Sequence, residues 1–123
     1  MVKASLLAGA LLLAGCGTTL PPVPQSYRQS VVVAGITYGT AARAALAYAQ
    51  QPRCSATSKP PPQCADLETV VTLGRASKGA EAALRMAEAV PPTAPQAARD
   101  AALSAVMDAL TVFEAHTKTA TGK

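Results

Sequence analysis

The chain has no tryptophan, one phenylalanine (Phe113), three tyrosines (Tyr27, Tyr38 and Tyr48) and a single histidine, His116. A core without large aromatic side chains is thin and has to be closed by helices that approach one another tightly. With one imidazole, a serine or cysteine nucleophile has almost no choice of base, and a zinc site has too few ligands. A Gly-x-Ser-x-Gly elbow and a His-Glu-x-x-His pair are both missing, so hydrolase and metalloprotease chemistry have no residues to carry them. Seven acidic residues stand against eleven Lys plus Arg, with no basic cluster and no aromatic platform, which argues against nucleic acid as a partner. The apolar run from Ala4 to Gly15 is twelve residues long, short of the roughly 20 needed to span a bilayer.

That run is nevertheless the most informative segment. Met1-Val2-Lys3 is a short positive stretch, Ala4 to Leu13 is apolar, and Leu13-Ala14-Gly15-Cys16 closes it with two small residues before a cysteine, the layout of a secretory signal. The segment resembles a bacterial lipoprotein signal peptide ending in a lipobox. The resemblance implies cleavage between Gly15 and Cys16 and a diacylglycerol on the Cys16 sulfur, so that Cys16 anchors the mature chain in a membrane. Gly17 then occupies the place where many inner-membrane members carry an aspartate. The expected location is the outer membrane, lipid-anchored on the periplasmic face. Removing residues 1–15 takes away Lys3 and leaves 108 residues with a net charge of +3, room for one domain. A mildly basic surface of this kind suits anionic lipid or peptidoglycan.

With Cys16 assigned to lipid, Cys54 and Cys64 remain as an even pair in an oxidising compartment and are expected to form a disulfide. The polar, proline-rich stretch between them cannot continue a helix, so the bond ties the neck of a loop. Residues 17–25, Gly-Thr-Thr-Leu-Pro-Pro-Val-Pro-Gln, read as an extended tether.

The rest of the chain is rich in alanine, the best helix former. Ser26 and Gln29 fit a capping box, and Val31, Ala34, Tyr38, Ala41, Ala45 and Tyr48 make a stripe of a helix that ends before Pro52. The apolar stretch Ser30 to Ala42 is read as too short to span a membrane. Gly35 and Gly39 sit one turn apart in that helix and cost stability unless something packs against them. A second helix is expected from about Ala65 to Ala89, with Val70, Leu73, Ala80, Leu84 and Ala87 inside, Ser77 as a polar exception, and Lys78, Glu81, Arg85 and Glu88 along a solvated face. Pro91-Pro92 stop it. Thr93 to Gln96 reads as another capping box, starting a third helix with Leu103, Val106, Leu110 and Phe113 inside and a Glu114–Lys118 pair outside. Met86 and Met107 are expected to fill core gaps, and His116 to face the negative end of the third helix. Gly74 and Gly79 have the separation of a phosphate loop, but Ala80 and Glu81 stand where that motif needs Lys and Ser or Thr.

The expectation is an all-α protein: a small antiparallel three-helix bundle with one disulfide-tied loop. Its parts are a signal peptide (1–15), a tether (16–25), a helical domain (26–118) and a frayed tail (119–123). No catalytic, cofactor-binding or metal-ligating set is expected, and no small-molecule substrate. The function expected is that of a structural or protein-interaction module in the periplasm. It would dock on an envelope protein or on a second copy, with Gly35 and Gly39 marking the contact face or merely letting the helices approach. Two alternatives stand beside it. The chain resembles the murein lipoproteins in being a small, alanine-rich helical lipoprotein ending in lysine, which implies attachment of Lys123 to the cell wall. Its size and proline content also suit a phage-type lysis or exclusion lipoprotein.

Overall fold

The computed structural model describes residues 26–55 and 64–122. The signal segment, Cys16, the tether and Lys123 lie outside the described residues, as do residues 56–63 between the two cysteines. Three helices follow one another: α1 (Tyr27–Ala49), α2 (Leu67–Ala89) and α3 (Gln96–Thr121). All three pack against each other as an antiparallel bundle.

α1 begins where its capping box places it. The Ser26 hydroxyl accepts from the Gln29 backbone N–H, and the Gln29 side chain accepts from the Ser26 N–H, so two of the orphan donors at the helix start are satisfied. The inner stripe is as the spacing indicates: Val31, Ala34, Ala41, Ala45 and Tyr48 are buried, Tyr38 is half-buried, and Tyr27 joins them from the first turn. In α2 the buried side chains are Leu73, Ala80, Leu84 and Ala87, with Val70 half-buried. In α3 Val106, Leu110 and Phe113 are buried, and the Phe113 ring meets that of Tyr38 at 5.8 Å between centroids.

The three tyrosines set the register of α1 against α2. Tyr27 Oη donates to the Ala87 carbonyl, Tyr38 Oη lies 3.1 Å from Ser77 Oγ, and Tyr48 Oη accepts from the Asp66 N–H at 3.0 Å. As the position rises along α1 it falls by nearly the same number along α2, which is the geometry of antiparallel neighbours. Ser77, the polar interruption in an apolar stripe, is therefore the partner of a buried-side phenol.

Cys54 and Cys64 are bonded, with their Cα atoms 5.0 Å apart. The neck they close has two backbone hydrogen bonds of its own, Cys54 N–H to Ala65 O and Ala65 N–H to Pro52 O, and Cys64 and Ala65 are buried at it. Closing a loop of about eleven residues removes roughly 3 kcal/mol of unfolded-chain entropy.

Several local expectations are corrected. The third helix starts at Gln96 with Pro95 as its cap and no side-chain cap bond, so Thr93 caps nothing. The cause is Pro95, which disfavours helical backbone at Ala94; residues 91–94 form a turn instead, closed by Ala94 N–H to Pro91 O at 2.9 Å. At the other end, residues 119–121 are helical. Thr117 and Ala120 are buried, and Gly122 ends the helix at a left-handed φ of 68° that glycine adopts without steric cost. Met86 and Met107 are 68% and 57% exposed rather than in the core. Each is the sequence neighbour of a buried residue and so stands about 100° off the inner stripe, and alanine-lined contacts leave no gap for methionine to fill. The last-turn base of α3 is Lys118 rather than His116. Among the described residues Glu81 and Arg85 form an ion pair, and Glu114 and Lys118 do not.

Candidate functional site

A concavity on the described surface runs along α1. It has a volume of about 900 Å³, with Tyr27, Val31, Val32, Gly35, Ile36 and Gly39 along the helix and Ala87, Val90, Pro91 and Pro92 as its opposite wall. Both walls come from local sequence signals. Pro91-Pro92 break α2 and hold an apolar corner beside its last turn, while Gly35 and Gly39, one turn apart, leave the α1 wall without side chains at its middle.

The two glycines are not required by packing within the bundle. Apart from its chain neighbours and the backbone of its own helix, a Cβ placed on either would meet no described atom within 4 Å. Glycine in a helix interior costs up to about 1 kcal/mol relative to alanine, and among the described residues no neighbouring helix takes up the space it leaves. The reading in which Gly35 and Gly39 merely let the helices approach is thereby removed for the bundle itself. What they do is hollow the groove.

Of the groove's lining Val32 (61% exposed) and Ile36 (66% exposed) stand at the surface, and α1 also exposes Val33 and Leu46. Thr37 and Thr40 sit among them, but their hydroxyls donate back to the Val33 and Ile36 carbonyls at 3.1 Å. Arg28 and Arg43 lie at the two ends of the groove, and Glu88 is its one acidic lining residue, on the α2 side. All seven acidic residues of the chain fall after α1.

Other places are poorer. Among the described residues no group of three His, Cys, Asp or Glu side chains could hold a metal ion. His116 borders a small polar hollow of about 190 Å³ with Asp66, Glu68 and Thr72. Asp66 is engaged as the cap of α2: its carboxylate accepts from the Thr69 N–H at 2.9 Å and the Thr69 hydroxyl at 3.0 Å. Those bonds, together with the Glu68 N–H, hold its pKa below the ordinary carboxylate value. The segment from Gly74 to Glu81 is uninterrupted helix, with no turn in which backbone N–H groups could cradle a phosphate.

Of the residues singled out from the sequence, Gly35 and Gly39 are in the groove, Cys54 and Cys64 are bonded at the opposite end of α1, and Cys16 and Lys123 lie outside the described residues. Val32, Ile36, Arg28, Arg43 and the Val90 to Pro92 wall were not anticipated. The signal was present: a helix whose second arc is also apolar and whose 23 residues contain no acid. By length and composition α1 could cross a membrane, and 22% of its most apolar window is buried, so the length argument made on residues 30–42 does not hold for the helix as formed. No protein-family model, curated protein or solved structure matches the chain.

Proposed function

We propose that this chain is a small envelope protein held to a membrane through lipid on Cys16, whose helical domain is a non-catalytic docking module working through the outer side of α1. The observation that carries the reading is the groove itself: two helix-interior glycines open it, apolar side chains line it, and the bundle does not use the space. Alanine at both positions would favour the helix and fill part of the groove. The anchor rests on the lipobox-like Leu13-Ala14-Gly15-Cys16, and the disulfide of the domain suits an oxidising compartment.

The test uses the full chain in its own envelope. A photoreactive side chain at Thr40, inside the groove, is expected to give adducts, and one at Lys78, on the outer side of α2, to give none. Gly35→Leu with Gly39→Leu should abolish the Thr40 adducts while intact mass still shows lipid on Cys16 and far-ultraviolet circular dichroism still shows the helices. Equal labelling from both positions would remove the docking reading.

A further inference from the structure

Resting on the lipid-anchor reading, we infer that the outer face of α1 is a membrane-surface contact, laid on the anionic phospholipid bilayer to which Cys16 is tethered. Two features say what covers this face. The first is charge. α1 has two arginines and no acidic residue, whereas every Asp and Glu of the chain lies after it, so α1 is the one helix of the three with a net positive charge, the sign that anionic headgroups attract. An apolar face with cationic flanks and hydroxyls turned back onto the helix is the pattern of an interfacial helix.

The second feature is reach. Nine residues separate Cys16 from Ser26, at most about 35 Å of chain, so α1 is the first helix among the described residues after Cys16 and starts within that reach of the lipid. A short tether raises the effective concentration of the second contact to the millimolar range. A surface affinity too weak to bind the free domain is then enough to lay it down.

The same residues decide against the competing arrangements. Arg28 and Arg43 are fifteen residues apart on α1, about 22 Å along the axis, less than the roughly 30 Å of a hydrocarbon core, so a spanning α1 would bury one of them. Pairing α1 with α1 of a second copy sets arginines against arginines with no acidic side chain on either helix to offset them. The single acid in the groove, Glu88, is on the α2 wall and is outnumbered there by Arg28 and Arg43.

The chain has no tryptophan, so one introduced residue reports its own surroundings. Full-length Ile36→Trp protein, extracted in detergent and reconstituted into phosphatidylethanolamine–phosphatidylglycerol vesicles, should show blue-shifted emission that brominated acyl chains quench. Val32→Trp is the second probe, and Met86→Trp on α2 is the control that should show neither effect. Replacing phosphatidylglycerol by phosphatidylcholine, or combining Arg28→Gln with Arg43→Gln, should shift the balance away from the surface. For the double variant the shift is roughly 30-fold, at about 1 kcal/mol per arginine.

Unshifted emission from both probes in protein that floats with the vesicles overturns the inference while leaving the anchor in place. Equal shifts with and without phosphatidylglycerol overturn its electrostatic basis. Emission already blue in detergent, before any bilayer is present, overturns it too, in favour of the chain's own residues 17–25 if the mass is monomeric and of a second copy if dimeric. Intact mass reports lipid on Cys16 separately. Unlipidated protein that still shifts on phosphatidylglycerol vesicles keeps the surface contact and loses the anchor; unlipidated protein that does not shift loses both.

Discussion

α1 and α2 are helices of equal length, 23 residues each, and each turns one stripe of mostly small apolar side chains toward the core. On the outside they differ. α2 shows Arg75, Lys78 and Arg85, with Glu81 and Arg85 paired one turn apart, interspersed with the exposed Leu67, Val71 and Met86, a mixed surface whose charges water satisfies. α1 shows Val32, Val33, Ile36 and Leu46 instead. The fold constrains the inner stripe of both helices in the same way and the outer arc of neither. What an outer arc carries therefore reports a demand from outside the bundle, and the arc of α1 is apolar with no acidic residue in the helix, whereas the exposed apolar side chains of α2 stand among charges.

The comparison breaks most directly if the outer residues of α1 prove to be core. Phe113→Ala, at a side chain with no exposure, is expected to lower stability by about 3–5 kcal/mol, whereas Ile36→Asn should stay within about 0.5 kcal/mol. Urea unfolding followed by circular dichroism measures both, and similar losses would place Ile36 inside.

Next in size is the disulfide, which holds the end of α1 against the start of α2. Replacing Cys54 and Cys64 by serine should cost roughly 3 kcal/mol. Because half of the side chains that α1 buries are alanines, and the neck lies beside its last turn, hydrogen exchange should then rise first near Tyr48 and last in α3. Uniform acceleration would show that the neck does not act on α1 in particular.

Gly35→Ala and Gly39→Ala sharpen the contrast with an effect of the opposite sign. Each should raise stability by up to about 1 kcal/mol, since helix propensity improves and the new methyl meets nothing. The corresponding change on α2, Gly79→Ala, also meets open space and should gain as much. Only the α1 pair should change contact at the outer side of α1. A loss of stability at Gly35 or Gly39 would mean that a neighbour does occupy the space.

The smallest effect belongs to the start of α2. The pKa of Asp66 is lowered in the folded protein by the Thr69 N–H and hydroxyl. Its contribution is therefore present above the ordinary carboxylate range and is lost as pH falls through the lowered folded-state value. Asp66→Asn retains a cap and should flatten this acid limb in a pH series of thermal unfolding. α1, capped by the neutral Ser26, should contribute no such limb.

Much of this could be read along the chain because the signals act over a few residues. Ser26 and Gln29 start α1, Pro52 and Pro91 lie beyond the helices they limit, and the spacing of Leu73, Ala80, Leu84 and Ala87 gives the inner side of α2. The capping box at Thr93 failed for an equally local reason, the restriction that Pro95 places on Ala94. Thr117 to Thr121 looked polar enough to fray, yet in the helix Thr117, Thr119 and Thr121 spend their hydroxyls on the carbonyls four residues back. That internal satisfaction lets Thr117 and Ala120 be buried.

The sequence by itself determined three helices, their approximate ends, and a tied loop between the first two, because capping, proline sterics, periodicity and cysteine pairing do not depend on what lies across the bundle. Tertiary structure alone decided that the three tyrosines bond to Ala87, Ser77 and Asp66 of or beside α2, that the methionines stand outside, and that Gly35 and Gly39 face open space. Those outcomes depend on the rotation of each helix about its axis and on how closely alanine-lined faces approach. A 3.6-residue period marks which side of a helix is apolar, but not whether a second apolar arc has a neighbour to cover it.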